Sequence, residues 1–163
     1  MNTIQIERIL QRNHWTRAKF KGVYAADKLF PLLSQRSTPY CCVVNSDKEG
    51  EPGTHWLAIY VPSSDKVEYF DSFAEPPNPI IKQFLDRFKH QKMNRKRVQS
   101  EFDISCGSHV IYFLVHRCRG EQFEKVINRL EAKGPFSDSA VNEQTFPYDQ
   151  QLLLEERTQA AES

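Results

Sequence analysis

One apolar stretch constrains the fold of this chain more than any other part of its sequence. The stretch is VIYFLV, residues 110–115, within CGSHVIYFLVHRC at 106–118. A helix that is apolar around most of its circumference has to be buried on all sides, so the pattern predicts a central helix enclosed by the rest of the protein. The helix is expected to open on Cys106 and Gly107, after the polar, turn-like run SEFDIS.

The size of the chain allows one domain around this helix. The sequence has 163 residues, of which 39% are apolar and 26% charged, and its formal net charge is +1. A chain of this length can bury a core without disulfides or metal ions, so residues 1–163 are expected to form a single domain. A net charge so close to zero argues against a global attraction to nucleic acid or membranes, and any such preference must be local.

The N-terminus and the cysteines indicate an intracellular, reducing compartment. The segment MNTIQIERILQRNHW carries charges throughout and has no apolar run long enough for a signal peptide or a membrane span. We therefore expect free thiols and no membrane contact. None of Cys41, Cys42, Cys106 and Cys118 forms a C-x-x-C pair, so no zinc site is expected, and neither is any other metal or small-molecule cofactor.

The remaining hydrophobic patterns predict an α+β fold. Helical spacing predicts helices at 3–12, at 78–90 with Asn78 as the cap, and at 121–133. Apolar, β-branched and aromatic runs predict strands at 40–45, 55–61 and 66–73. The last two strands are joined by the turn residues PSSD and are expected to form an antiparallel hairpin.

The other segments are interpreted as connections. Residues 19–33 are expected to be a packed connecting segment, and the basic run KHQKMNRKR at 89–97 is expected to be a loop. The tail from about residue 150 is expected to be a terminal helix or a frayed end.

Cys106 is placed for nucleophilic chemistry if its helix begins there. With Ser105 or Asp103 as the cap, the thiol lies in the first turn, where unpaired backbone N–H groups and the helix dipole stabilise a thiolate. Gly107 would let a substrate backbone approach the sulfur closely. Taken alone, a cysteine before a glycine is more typical of a small buried residue at a helix start.

His55 is the candidate base because the predicted hairpin returns past it. If the paired positions sum to an even number near 126 or 128, His55 faces Asp71 or Phe73. In either case His55 and Asp71 share one face of the sheet, and the carboxylate can orient the imidazole. An odd sum would put them on opposite faces, and Asp71 alone would more often be a turn former. His109, on the helix of Cys106, could suggest a metal pair, but two ligands without a third and fourth do not make a site.

Gln99 is a candidate for the third requirement of acyl transfer, a set of donors for the oxyanion. A turn through SEFDIS could bring its side-chain amide back towards the sulfur, beside the backbone N–H of Cys106. A glutamine by itself is more often a solvated surface residue.

These residues together resemble the adenovirus-type cysteine proteases, the adenain family, which includes enzymes of Polinton-like transposons and large DNA viruses. The resemblance is carried by THW, by YFDSF, by the glutamine before SEFDIS and by CG, and it spans roughly Phe20 to Arg119. More distantly, the order of residues resembles the Ulp/SENP proteases. The fold that it implies is that of the papain-like cysteine protease superfamily, a mixed central β-sheet flanked by helices, with the nucleophile at the N-terminus of the buried central helix.

The resemblance also implies a role for each candidate residue. Cys106 would be the nucleophile, His55 the general base and then acid, and Asp71 the orienting carboxylate. Gln99 would form the oxyanion hole with the backbone amide of Cys106.

The function implied by the resemblance is a cysteine endopeptidase that matures capsid or other virion-type structural proteins by cutting near small residues such as glycine. The expected partner is a polypeptide substrate, the expected state a monomer, and the expected location the host nucleus or the virion. One alternative is an Ulp/SENP-like protease for ubiquitin-like modifiers, and another is a noncatalytic DNA-binding or scaffolding module of the same fold.

Two features depart from the adenoviral pattern. The acid is Asp71, as in the Ulp/SENP branch, where adenoviral enzymes usually have glutamate. Residues 78–98 contain no cysteine to tether an activating peptide through a disulfide, so only a noncovalent peptide activator is consistent with the sequence.

The basic run could serve a second family property, the binding of duplex DNA as a cofactor. Its members are Lys89, Lys92, Arg95, Lys96 and Arg97. Such a patch could contact phosphates, and the alternative is a solvated connection between a helix and a strand.

Overall fold

The central helix predicted from the apolar stretch lies in the middle of the protein. In the computed structural model, which describes residues 1–48, 50, 55–99 and 106–133, helix α3 runs Cys106–Cys118. Eleven of its 13 residues are buried. The Phe113 ring stacks on Phe70 of the sheet, with ring centroids 4.8 Å apart, and this contact fixes the helix against the sheet.

A five-stranded mixed sheet supports this helix. The strands are β1 (Phe20–Ala25), β2 (Tyr40–Asn45), β3 (Trp56–Ser63), β4 (Lys66–Phe70) and β5 (His90–Met93). They lie side by side in sequence order. The inner neighbours β2, β3 and β4 are antiparallel, whereas β1 and β5 pair in parallel with β2 and β4. The predicted fold class is confirmed.

Both faces of the sheet are covered, which explains the continuous apolar runs of its inner strands. On one face, alternate residues such as Val43, Ala58 and Phe70 pack with α3 in one hydrophobic cluster. On the other face, residues such as Val44 and Ile59 pack with a second cluster beneath α2. The alternation of side chains along each strand divides the core into these two layers.

The outer helices form where the sequence patterns predict them, but α2 ends at Leu85 and does not continue to residue 90. Helix α1 runs Thr3–Arg12 behind a capping box in which Asn2 and Gln5 bond each other's backbone N–H groups, helix α2 runs Pro79–Leu85, and helix α4 runs Phe123–Lys133. The predicted Asn78 cap is confirmed, because its side chain accepts a hydrogen bond from the backbone N–H of Ile81 at 2.9 Å.

The prediction for residues 19–33 was wrong over its first half. Residues 20–25 form β1, and only Ala26–Lys28 and Phe30–Ser34 are short 3₁₀ segments of the predicted connection. Gly22 has a φ of 138°, and the pairing with β2 is irregular between Phe20 and Val23. This irregularity disturbs the side-chain alternation that would have indicated a strand.

The prediction of a loop for the basic run was also wrong in part. Residues 90–93 form β5, which pairs with β4 although all four of its side chains are exposed. Backbone hydrogen bonds hold an edge strand of this kind, so its side-chain pattern carries no signal.

Two other expectations lie outside the described residues. These are the helix cap at Ser105 or Asp103 and the tail from about residue 150. None of the helices in the described part of the chain is long and apolar enough to cross a membrane.

A buried ion pair joins the sheet to the end of α3 away from Cys106. The Arg117 guanidinium donates to both carboxylate oxygens of Glu68, at 2.7 Å and 2.8 Å. The two side chains are only 12% and 5% exposed. Arg117 also lies over the Tyr60 ring, 4.4 Å from its centroid.

We expect Glu68→Gln to lower the free energy of unfolding by about 3 kcal/mol, because it leaves a buried guanidinium without its counter-charge. Denaturant unfolding measures this loss. The matched control is Lys82→Gln, which breaks the exposed pair with Asp86 and should leave stability unchanged within error. Equal losses in the two variants would contradict the assigned burial of the Glu68 pair.

Candidate active site

The β3–β4 hairpin brings His55 and Asp71 to the same end of the sheet. Ala58 pairs with Phe70 and Ile59 with Tyr69, so the paired positions sum to 128. This is the even register that the shared face requires. His55 immediately precedes β3, Asp71 immediately follows β4, and His55 Nε2 lies 2.6 Å from Asp71 Oδ1.

Asp71 is held rigidly by its neighbours. It is 3% exposed, and the oxygen that faces His55 also accepts the backbone N–H of Phe73 at 2.8 Å. Asn94, which follows β5, bonds both backbone groups of Asp71: its Oδ1 accepts the N–H at 3.0 Å, and its Nδ2 donates to the carbonyl at 2.6 Å. The carboxylate therefore has a fixed direction relative to the imidazole.

Sequence reasoning placed Phe73 opposite His55 for one of the two even registers, and it missed Asn94. The observed sum of 128 is the register that puts Phe73 opposite His55. The ring of Phe73 lies against the imidazole of His55, with centroids 4.8 Å apart. Asn94 gave no signal, since it lies within a run that reads as basic and solvated.

Cys106 completes a chain of three residues. Its thiol lies close enough to the His55 imidazole for each group to shift the pKa of the other. Since Nε2 of the imidazole faces Asp71, the nitrogen that faces the sulfur is Nδ1. Cys106 is the first residue of α3 and is partly exposed, whereas the other three cysteines are buried.

Burial and hydrogen bonding act in opposite directions on the pKa values of this pair. Burial raises the pKa of the Cys106 thiol, but the hydrogen bonds with His55 and with the backbone of Trp56 and Gly107 bring it below its ordinary value. Burial lowers the pKa of His55, but its hydrogen bonds with Asp71 and Cys106 raise it to about 9. Both shifts favour a thiolate beside an imidazolium at neutral pH.

Gln99 lies next to the Asp71 turn and is only 2% exposed. Its backbone N–H and that of Val98 both donate to the carbonyl of Ser72, at 3.1 Å and 2.9 Å. Its side-chain Oε1 accepts a hydrogen bond from Ser72 Oγ at 2.5 Å. Residues 100–105, which connect Gln99 to Cys106, lie outside the described part of the chain.

Gly107 lies against the N-terminal segment of the chain. A Cβ at this position would meet Met1 and Ile6, whose atoms lie 3.3–3.5 Å from its place. A larger residue would therefore crowd the packing of α1 against α3. The expected access of a substrate backbone to the sulfur past Gly107 stays a prediction.

The five basic residues of the candidate DNA contact have different surroundings. Lys92 lies on β5 and pairs with Glu124 of α4 at 2.5 Å. Arg97 stacks over the Phe73 ring at 4.4 Å and donates to the Gln99 carbonyl at 2.8 Å, so it supports the site. Lys89, Arg95 and Lys96 have exposed side chains.

In the part of the chain that the structure describes, the remaining cysteines and histidines form no metal site. Cys41, Cys42 and Cys118 are buried, as expected for core packing, and the sulfurs of Cys41 and Cys118 lie 3.9 Å apart. His109 is fully buried. Within the described residues, no group of histidine, cysteine and acidic side chains could hold a metal ion.

Comparisons with known proteins show which sequences and folds this chain resembles. No model of a known protein family matches the sequence. The chain is 25% identical over 154 residues to a protein of Acanthamoeba polyphaga mimivirus named as a thiol protease, covering 78% of this chain and 51% of that protein. It is 34% identical over 79 residues to the protease of porcine adenovirus A serotype 3, covering 48% of this chain and 37% of that protein. The crystal structure of an African swine fever virus protease superimposes with a TM-score of 0.59 at 18% identity, covering 77% of this chain and 60% of that chain.

The expected resemblance to adenovirus-type and large DNA virus cysteine proteases is confirmed, and the papain-like fold with it. The chain spans about half or less of the length of these curated relatives.

We expect iodoacetamide to alkylate Cys106 selectively, with a midpoint below pH 9, the ordinary thiol value. The thiolate is the reactive form, and a lowered pKa makes it available at lower pH. In His55→Gln, burial remains while the stabilising imidazolium is lost, so the midpoint should move up to 9 or beyond. Mass spectrometry of the Cys106 peptide between pH 5 and 10 measures both profiles, with Cys106→Ser as the blank. Identical midpoints in the wild type and His55→Gln would contradict the ion pair.

Proposed function

We propose that this chain is a cysteine endopeptidase of the adenain type. The observation that carries the proposal is the 2.6 Å hydrogen bond between His55 and Asp71, together with the Cys106 sulfur beside the imidazole at the start of a buried helix. A nucleophile, a base within hydrogen-bonding reach and a carboxylate that orients the base are the parts that acyl transfer requires. The protease names of the viral relatives support the same reaction class.

In the acylation step, Cys106 Sγ attacks the scissile carbonyl carbon. The π electron pair of the carbonyl moves to its oxygen, which forms a tetrahedral oxyanion. When this intermediate collapses, the C–N bond breaks and protonated His55 donates its proton to the leaving amine nitrogen. The products are a thioester on Cys106 and a new amino terminus.

In the deacylation step, a water molecule attacks the thioester. Neutral His55 takes the proton of the water while its oxygen bonds to the acyl carbon. The C–S bond then breaks, which releases the carboxylic acid and restores the thiolate beside the imidazolium. Asp71 stabilises the positive ring in both steps and keeps Nδ1 directed at the reacting atoms.

The proposed substrates are capsid or other virion-type structural proteins, cut near small residues. The viral relatives named as proteases support a polypeptide substrate. The preference for small residues is taken from the resemblance to adenain and from the predicted access of the substrate backbone past Gly107.

Duplex DNA is the proposed cofactor. The side chains of Lys89, just before β5, and of Arg95 and Lys96, just after it, are exposed. Phosphates bound there would contact β5 and the segment that leads to Gln99. A noncovalent peptide activator is the proposed substitute for the disulfide-linked one of adenoviral enzymes.

We expect the wild type to cut a diverse peptide mixture at small residues and Cys106→Ala to cut none of it. Mass-spectrometric mapping of the new termini, with and without duplex DNA, gives the specificity and any stimulation. The matched control is Cys118→Ala, which removes a thiol from the other end of α3 and should keep the cleavage pattern.

Two outcomes would decide against this function. Intact peptides, together with labelling of Cys106 by a ubiquitin-like modifier that bears a C-terminal thiol trap, would favour the Ulp/SENP-like alternative. Intact peptides and an unreactive Cys106, with DNA binding retained, would favour the noncatalytic module.

We expect alanine at Lys89, Lys92, Arg95 and Lys96 to weaken duplex DNA binding and flatten its dependence on salt, because fewer counterions are released. Arg97 is left in place because it supports the site. Fluorescence anisotropy at 50 and 200 mM salt measures the effect. The control replaces four exposed basic residues elsewhere, Arg17, Lys21, Arg36 and Lys125, so that the net charge changes equally. Equal weakening in both variants would show that DNA contacts no specific patch.

A further inference from the structure

The three consecutive residues Asp71, Ser72 and Phe73 each contact a different part of the site. Asp71 bonds His55, and Phe73 covers the imidazole ring. Ser72 lies between them, is completely buried, and is directed at Gln99. The roles of Asp71 and Phe73 follow from their contacts with His55, whereas the hydroxyl of Ser72 has no part in the acid–base chemistry described above.

The hydrogen bond of Ser72 determines which end of the Gln99 amide is used. A glutamine side chain carries an acceptor oxygen and a donor NH₂ group on the same planar carbon. Ser72 Oγ donates to the oxygen, Oε1, at 2.5 Å, which is within the range of a strong O–H···O bond. The oxygen end of the amide is thereby held towards Ser72, and the NH₂ end is directed away from Ser72.

The direction of this amide matters for the intermediate of the proposed reaction. When Cys106 Sγ bonds to the carbonyl carbon, the π electron pair moves to the oxygen and leaves a full negative charge there. An NH₂ group directed at that oxygen stabilises the charge, whereas a rotated amide would present its own partially negative oxygen and oppose it.

We propose that Ser72 is a positioning residue that fixes the Gln99 amide with its NH₂ group towards the developing oxyanion. The inference rests on the proposed peptidase function and assigns the orientation of its oxyanion hole to one buried hydroxyl. Ser72 itself does not touch the reacting atoms.

The backbone contacts allow this role to be isolated. The N–H groups of Val98 and Gln99 are bonded to the Ser72 carbonyl, and the Gln99 carbonyl is bonded to Arg97. Replacing Ser72 by alanine leaves all three of these bonds in place. The change therefore removes the hydrogen bond between the Ser72 and Gln99 side chains without releasing the main chain of Gln99.

The test compares peptide hydrolysis with alkylation of Cys106 in the wild type, Ser72→Ala, Gln99→Ala and the double variant. Hydrolysis passes through an oxyanion, whereas in alkylation the Cys106 thiolate displaces iodide from the saturated carbon of iodoacetamide and no oxyanion forms. We expect Ser72→Ala to lower kcat about tenfold with little change in KM, since the loss of a whole oxyanion donor costs about 10²–10³-fold. Its alkylation rate and pH profile should match the wild type, and in the Gln99→Ala background it should add less than about a twofold loss.

The control for a lost buried hydroxyl is Thr16→Val. Thr16 is also fully buried, and its hydroxyl donates to the Leu10 carbonyl at 2.6 Å, away from the Ser72–Gln99 contact. This variant should lose a similar amount of stability and keep kcat. If Ser72→Ala does not fold, Ser72→Cys, which has a similar size and a weaker donor, replaces it under the same criteria.

Three results would overturn the inference alone: an unchanged kcat in Ser72→Ala, an equal loss of kcat in the Gln99→Ala background, or a parallel loss of alkylation. The last result would mean that Ser72 acts through Asp71 and His55. A wild type that hydrolyses no peptide would overturn the proposed function, and this inference with it, which separates the two failures.

Discussion

The register of the β3–β4 hairpin is the constraint on which the candidate site depends. His55 and Asp71 lie outside the paired strands, one just before β3 and one just after β4, so only the pairing between the strands determines their distance. A shift by one residue would put one of them on the opposite face of the sheet. The buried layers on both faces oppose such a shift, because it would exchange the side chains of the two core layers along β4. The stability of the core and the geometry of the site therefore have the same origin.

The turn that follows β4 contributes three consecutive residues, each of which contacts another part of the candidate site. Asp71 orients His55, Ser72 contacts Gln99, and Phe73 lies between the imidazole and Arg97. Asn94, just after β5, fixes the turn from the other side through both backbone groups of Asp71. The side chains of the edge strand β5 are exposed, but its pairing with β4 places Asn94 beside the turn. In this way β5 contributes to the position of Asp71.

The charges of the site support one another. Burial opposes both the thiolate of Cys106 and the imidazolium of His55, so neither would be stable there alone. Their mutual hydrogen bond, the Asp71 carboxylate and the backbone of Trp56 and Gly107 reverse that effect. The sulfur gains backbone support because it stands at the start of a helix that the apolar stretch holds in the core.

The sequence by itself determined α1–α4 and the three inner strands, because hydrophobic periodicity and turn residues are local properties of the chain. It also determined the candidates His55, Asp71, Gln99 and Cys106, because their order and spacing resemble a known motif. Tertiary structure alone decided β1 and β5, whose pairing depends on backbone hydrogen bonds that leave no regular side-chain pattern. It also decided the packing of Gly107 against the N-terminal segment and the contacts of Ser72, Phe73, Asn94 and Arg97. These contacts join residues that are far apart in the sequence, 27 positions in the Ser72–Gln99 bond, so only the folded chain brings them together.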